Sequence, residues 1–451
     1  MCPRTKWLAA AGLGAMLALG GGAPAGAALS PIEELGKALF YDASLSANGT
    51  QSCAACHAPE VGFTGPDAAV NAAGAVYPGA LANRFGNRKP PASAYAGDSP
   101  LLYFDEEDGG WFGGMFWDGR ATGWTLGDPL AEQAQGPYLN PLEQALPNAR
   151  VLCTKVWSSA YAGLFEEVWG PGSLDCARDT NGVYERIGRS VAAYERSSEV
   201  NPFTSKFDLF WENARAAGKD VTKIKCGTGG GGGGMGGAMG CPSGGTDPNR
   251  WSAFRGLGLT DAELQGLAVF NDRAECSSCH TLDPGPNGYP LFTDFGYDNI
   301  GTPKNPENPF YAMPPKWNPD GADWVDYGLG GFLQSAGYAP AVYEPEMGKH
   351  KVPTLRNVDL RPSSDFVKAY GHNGYFKSLD EIVFFYHWRA AMDGGMCGGG
   401  MGGGMGCEGM ASMFPPPEVD ANRAELPMFP RPQVDNIVTF LKTLSDGYFE
   451  R

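Results

Sequence analysis

Cys276-Ser277-Ser278-Cys279-His280, and its earlier twin Cys53-Ala54-Ala55-Cys56-His57, decide how this chain reads. In C-x-x-C-H the two thiols add across the vinyl groups of a haem, and the adjacent histidine becomes the proximal iron ligand. Two residues between the cysteines put both sulfurs on one turn, beneath a single porphyrin edge. Zinc binding or disulfide exchange by CxxC pairs leaves the following histidine unexplained in both copies. The motifs therefore predict two covalently bound haem c groups.

Outward from each motif, the preceding residues repeat. Leu35-Gly36-x-x-Leu39-Phe40 is echoed by Gln265-Gly266-x-x-Val269-Phe270. Ser30 and Thr260 are suited to cap a helix, and Glu33, Glu34, Asp261 and Glu263 fill first turns where the helix dipole favours anions. This is an internal duplication of a helix-then-haem module. The expected fold is mainly α, with two cytochrome c-like haem domains and long irregular loops. Val183 to Trp211 reads as helical between the modules, and Pro432 to Tyr448 as a closing amphipathic helix.

Met1 to Ala27 reads as a secretory signal: Arg4 and Lys6, an apolar run from Trp7 to Leu19, then Ala25-Gly26-Ala27 as the cleavage site. The expected localisation is periplasmic or secreted. Residues 28–225 form the N-terminal haem domain and 251–451 the C-terminal one. Between them, 226–250 is a Gly/Met-rich linker or loop, and a second Gly/Met-rich insertion spans 394–413. Their thioethers would suit cuprous copper, while their glycine content suits flexible loops.

The formal net charge is −16, and removal of the signal with Arg4 and Lys6 takes it to −18. That excludes a nucleic-acid binder, which needs clustered Lys and Arg, and is compatible with a basic redox partner. Of the eleven cysteines, Cys2 leaves with the signal and four belong to the haem motifs. The remaining six suit local disulfides 153–176, 226–241 and 397–407.

Histidines occur only at 57, 280, 350, 372 and 387. None lies between His57 and His280 to cap the first iron, and Met115 is the methionine of that interval ahead of the glycine tract. Otherwise the first iron is open to a small ligand such as peroxide. His350 reads as a surface residue.

Phe116-Trp117-Asp118-Gly119-Arg120, Glu132-Gln133-Ala134-x-Gly136-Pro137, Asn140-Pro141-x-Glu143, Lys351-Val352-Pro353-Thr354-Leu355-Arg356-Asn357 and His372-Asn373-Gly374 accompany the haem motifs. Together they resemble the bacterial di-haem cytochrome c peroxidase and MauG family. The resemblance implies that Trp117 lies between the haems and relays electrons. It makes Gln133 and Glu143 the distal-pocket pair of the first haem, with Glu143 moving protons during peroxide cleavage. It places Tyr386 as distal ligand of the second iron, with His387 and Met392 as alternatives, and His372 beside a haem propionate or backbone. The distal histidine common in these peroxidases is absent from Val61 to Ala82. About six extra residues, including Trp124, separate Trp117 from Gln133. The family's calcium is left open, its asparagine falling at Asn87 or Arg88.

The function implied is a periplasmic di-haem peroxidase. It reduces hydrogen peroxide at the first haem with electrons from the second through Trp117, refilled by a small c-type cytochrome or cupredoxin. The alternatives are MauG-like oxidation of Trp or Tyr in a partner protein, and a non-catalytic dihaem electron carrier. The resemblance also allows a homodimer. Because the haems should form much of each core, a Cys53→Ala, Cys276→Ala double variant is expected to lose most of its helical circular dichroism.

Overall fold

The computed structural model describes residues 28–227, 241–242, 246–393 and 413–450. Met235 and Met239 of the first glycine tract, Met396, Met401, Met405 and Met410 of the second, the 397–407 pairing and the N-terminal signal lie outside these residues. Among the described residues the chain is mainly helical, with two short two-stranded sheets. No described helix is long and apolar enough to cross a membrane.

The duplicated sequence builds duplicated structure. The Pro31–Tyr41 helix starts with a capping box between Ser30 and Glu33, and the Asp261–Ala268 helix with one between Thr260 and Glu263. Each box satisfies backbone N–H groups that the first turn would leave bare. The glycine inside each helix is there for contact. A Cβ on Gly36 would lie 1.9 Å from the carbonyl oxygen of Ser190, in the Thr180–Arg196 helix. A Cβ on Gly266 would lie 2.0 Å from that of Asn436, in the Pro432–Leu441 helix. Each haem motif thus comes after a helix pressed backbone to backbone on a partner. In the second copy a π-helical turn, Val269–Arg273, leads into Cys276.

Two main apolar clusters result. One gathers Leu35, Phe40, Tyr138, Ile187 and Tyr194 from the first part of the chain. The other runs from Phe207 to Leu444 and includes Trp251, Phe270, Phe292 and Phe440. The change of core falls between Phe203 and Phe207, ahead of the glycine tract that the sequence suggests as the join.

The expected helix over Val183 to Trp211 is two helices, Thr180–Arg196 and Lys206–Ala216. Pro202 lacks the N–H that a continuous helix needs and restricts Asn201 before it. Ser205 and Asp208 then open the second helix with a new capping box. The C-terminal helix is also shorter than expected, ending at Leu441 with a 3₁₀ turn, Lys442–Leu444. The chain leaves it because Asp446 is engaged elsewhere, accepting from Thr204 N at 2.9 Å, Tyr95 Oη at 2.7 Å and Asn357 Nδ2 at 2.8 Å. Disulfides 153–176 and 226–241 are formed as expected.

Arg356 and Asp208 form a fully buried ion pair, Nη1 to Oδ1 at 2.6 Å. Arg356 also donates from Nε and Nη2 to the Pro290 carbonyl. Removing the cation would strand a carboxylate out of water. Arg356→Met should therefore cost about 3–5 kcal/mol in a denaturant titration, whereas replacing the exposed Arg431 should cost almost nothing.

Candidate active site

His57 and His280 are fixed by the same device. Their Nδ1 atoms lie 3.1 Å from the Phe63 carbonyl and 2.9 Å from the Phe292 carbonyl. A carbonyl only accepts, so Nδ1 carries the proton and Nε2 is left as the ligating lone pair. Phe63 (φ 56°) and Phe292 (φ 55°) both adopt the left-handed backbone region. A bulky residue rarely goes there, and such strain persists where the surroundings demand it. Burial pushes His57 down to about 4 and also lowers His280, so both rings are neutral at ordinary pH. Cys53, Cys56, Cys276 and Cys279 are free thiols. Two thiols and one imidazole lone pair on each turn fit a c-type haem at both places.

The duplication continues one layer out, where the sequence reading missed it. Phe63-Thr64 corresponds to Phe292-Thr293. Thr64 Oγ1 donates to the Pro90 carbonyl at 2.8 Å, and Thr293 Oγ1 to the Val352 carbonyl at 2.7 Å. Lys89-Pro90-Pro91 and Lys351-Val352-Pro353 are therefore equivalent segments. The recurring Phe-Thr pair and Lys-x-Pro triplet were the available signal.

Trp117 is clamped between these segments. Its Nε1 donates to the Lys89 carbonyl at 2.9 Å, and its own carbonyl accepts from Lys351 N at 2.9 Å. The indole is buried, with its centroid 6.5 Å from the His372 ring. Gly119 (φ +76°) completes the turn, since a Cβ there would lie 2.5 Å from the Tyr297 hydroxyl. Burial lowers Lys89 to about 8 and Lys351 to about 7.

Gln133 sits half-buried on the Pro129–Leu139 helix, and Glu143 lies in the turn after it. Burial raises the Glu143 carboxyl above its ordinary value, partly offset by Arg120 and Asn140. Glu143 is near enough to Cys56 and Cys53 for its charge to act on both thiols. The extra loop around Trp124 is tied to Glu132, whose carboxylate accepts from Gly123 N, Thr125 N and Leu126 N at 2.7–2.8 Å. Trp124 is half exposed. Met115 packs in an apolar cluster with Leu130, Ala131 and Ala192.

In the Leu379–Asp393 helix, Tyr386 packs against the second core. Burial raises its phenol well above the usual value, and Cys279, Cys276 and Asp298 add to the rise. His387, one position on, turns to the Phe429 carbonyl, 2.6 Å from its Nδ1. Met392 is half-buried against the same core.

His350 is not at the surface as expected. It is 9% exposed, because the antiparallel pairing of His350–Lys351 with Tyr297–Asp298 draws it inward. His372 is also buried and stacks on it. Of the two positions considered for calcium, Asn87 accepts at its main-chain carbonyl from Asn308 Nδ2, and Arg88 is itself a cation held by Asp118 and Asp326. Lys89 places a second cation beside them.

Two thiols and a histidine on each of two equivalent turns are the donor set of a di-haem c-type protein, and a buried tryptophan is hydrogen-bonded to the segment beside each. The comparisons agree. The family model for di-haem cytochrome c peroxidase matches residues 30–216. The chain is 30% identical to the methylamine utilization protein MauG of Paracoccus denitrificans (strain Pd 1222) over 420 residues, 92% of this chain and 89% of that protein. It is 24% identical to the cytochrome-c peroxidase IdrP1 of Denitromonas iodatirespirans, covering 78% of this chain and 71% of that one. Among solved structures, the diheme peroxidase BthA from Burkholderia thailandensis E264 superposes with a TM-score of 0.64 at 26% identity, over 93% of this chain and 87% of that one. The chain belongs to the di-haem cytochrome c peroxidase and MauG family, and it is a peroxidase-type oxidoreductase.

Proposed function

We propose that this enzyme consumes hydrogen peroxide at the His57 site and draws the electrons from Trp or Tyr side chains of a partner protein. Tyr386 carries this reading. It packs into the second core near enough to Cys276 and Cys279 for both thiols to act on its phenol. A buried phenol that holds its proton so tightly becomes a phenolate only when a cation takes the oxygen. A tyrosinate ligand stabilises ferric iron and makes that centre a poor entry for electrons from a small cytochrome or cupredoxin. The family description and IdrP1 favour such a donor as the second reading.

Covalently held haem c would supply the iron at which the O–O bond breaks and the redox centres that communicate through Trp117. The chain supplies the rest. Glu143, with its carboxyl raised by burial, takes the proton of the near peroxide oxygen and returns it to the far one. Gln133 orients peroxide by hydrogen bonding. Trp117 relays electrons between the two modules, its indole fixed by the Lys89 carbonyl. We place the enzyme in the periplasm, with the cytochrome c-like domains meeting at Trp117. A surface at −18 net charge favours a basic partner.

Glu143 acts as a base only when ionised. The peroxide reaction should therefore accelerate as pH rises through its raised pKa and then level off. Glu143→Gln should slow the reaction by about 10²–10⁴-fold and abolish that rise, as read by stopped-flow absorbance.

Tyr386→Phe should change the electron paramagnetic resonance signal of the second ferric haem and leave the first unchanged. An unaltered spectrum would remove Tyr386 from the coordination sphere. Peroxide-driven turnover of reduced cytochrome c, faster than oxidation of any partner protein, would favour the second reading instead.

A further inference from the structure

The duplication supplies its own control for a pair of tyrosines behind the first haem turn. There Phe40 packs edge-on to Phe63 at 6.2 Å and to Tyr194 at 5.4 Å, centroid to centroid. Behind the second turn, Phe270 meets Phe292 at 6.2 Å and Phe440 at 5.3 Å. The helix glycines fix the equivalence. A Cβ on Gly36 would lie 2.8 Å from that of Tyr194, and one on Gly266 would lie 2.8 Å from that of Phe440. Tyr194 therefore stands where the second module has Phe440, and Tyr41, next to Phe40, stands where it has Asn271. The packing is met without phenols in the second module, so packing does not account for them in the first.

The two phenols lead outward. Tyr194 is fully buried, whereas Tyr41 is 41% exposed. Their ring centroids are 6.1 Å apart and their hydroxyl oxygens 3.4 Å. Tyr194 Oη also lies 3.1 Å from Glu199 Oε1, and Lys37 Nζ holds that oxygen at 2.6 Å. A carboxylate only accepts, so the Tyr194 proton points at Glu199. At the inner end, Phe40 touches Phe63, whose carbonyl accepts from His57 Nδ1. Cys53 packs against the same apolar cluster as Phe40 and Tyr194. An aromatic line thus runs from the first haem turn to solvent.

We propose that Tyr194 and Tyr41 form an electron inlet to the first haem, refilled at the surface by a small neutral phenol. A phenol is readily oxidised once its proton has an acceptor, whereas a plain benzene ring such as that of Phe440 is not. Tyr194 gives one electron to the peroxide-oxidised haem and its proton to Glu199, since a charged ring held out of water is costly. Tyr41 then passes its electron to Tyr194 and its hydroxyl proton across the gap between the two oxygens. The solvent phenol returns a hydrogen atom to Tyr41 and leaves as a phenoxyl radical. Glu199 is exposed and releases its proton to water. Two passes supply the two electrons that reduce peroxide to water, and the two protons released balance those the reduction takes up. Glu199 and the net charge of −16 turn away anionic reductants, which is why the donor is neutral. The inlet depends on peroxide being consumed at the His57 site, as proposed above, and not on the ligand of the second iron.

The test uses the haem-loaded protein, mixed with one equivalent of hydrogen peroxide and freeze-quenched for electron paramagnetic resonance. A tyrosyl radical should appear as the ferric signal of the first haem falls. Its hyperfine pattern should narrow in protein made with ring-deuterated tyrosine. Tyr194→Phe copies the packing of the second module and should lose that radical. With guaiacol as the phenol, Tyr41→Phe should lose most of the peroxide-driven turnover. Haem absorbance and melting temperature check that each variant is folded. A first haem that peroxide oxidises with no tyrosyl radical would overturn the inlet alone. So would a radical that persists in Tyr194→Phe, or guaiacol turnover as fast in Tyr41→Phe as in the wild type. A first haem that does not respond to peroxide would overturn the inlet and the proposed function together. If Tyr194→Phe does not fold, Tyr41→Phe, altered at the surface, decides.

Discussion

Two helices can touch backbone to backbone only where a side chain is missing, and that constraint is met twice here. Gly36 lies against the Ser190 carbonyl, and Gly266 against that of Asn436. Any Cβ would push the helices apart, and close-packed interiors take up such insertions poorly. The haem turn inherits the position of its helix: the two thiols, the histidine above them, and the left-handed phenylalanine whose carbonyl aims the ring. The strained Phe63 and Phe292 are stable because both ends of each turn are already fixed.

The two modules meet through main-chain groups as well as side chains, with Lys89 N donating to the His372 carbonyl and Gly113 N to that of Phe295. Trp117 comes from neither haem motif, yet it bonds to Lys89 in one segment and Lys351 in the other. These are equivalent positions of the duplication. The tryptophan therefore lies close to the relation between the two copies, where a single residue can serve both sites. The Arg88 ion pairs to Asp118 and Asp326 link the same three segments a few residues further on.

How much of this could be read in advance depends on the range of each interaction. Caps, haem turns, and disulfides 153–176 and 226–241 are local, and Ser30, Thr260, Cys53 and Cys276 declared them. Gln133 and Glu143 were offered as a distal pair by resemblance alone, and of the two Glu143 lies near enough to the first motif for its charge to act on Cys53 and Cys56. The break at Pro202 was visible but was outweighed by apolar periodicity on both flanks. His350 could not be placed, because its burial depends on a two-residue ladder with Tyr297–Asp298, more than fifty positions away. Its neighbour Lys351 looked like part of a motif and turned out to hold the tryptophan. Long-range pairings of such short strands leave almost no periodic trace in sequence.

The charge around Trp117 bears on its proposed role as a relay. Removing an electron from an indole is harder beside a cation, and a buried cation acts through a lower dielectric than water. Lys89 and Lys351 both lie beside the clamp. Burial lowers them to about 8 and about 7, with Asp294 partly supporting the charge of Lys351. Their amines donate to Thr64 Oγ1 and the Pro90 carbonyl in one case, and to the Gly113 and Phe295 carbonyls in the other. Those hydrogen bonds survive loss of the extra proton. The geometry therefore holds the tryptophan with lysines while burial weakens the charge they carry, and the remaining full cations, Arg88 and Arg120, are matched by Asp118 and Asp326. A relay needs rigidity without a strong fixed positive field, and main-chain clamping beside lysines whose charge burial disfavours serves both.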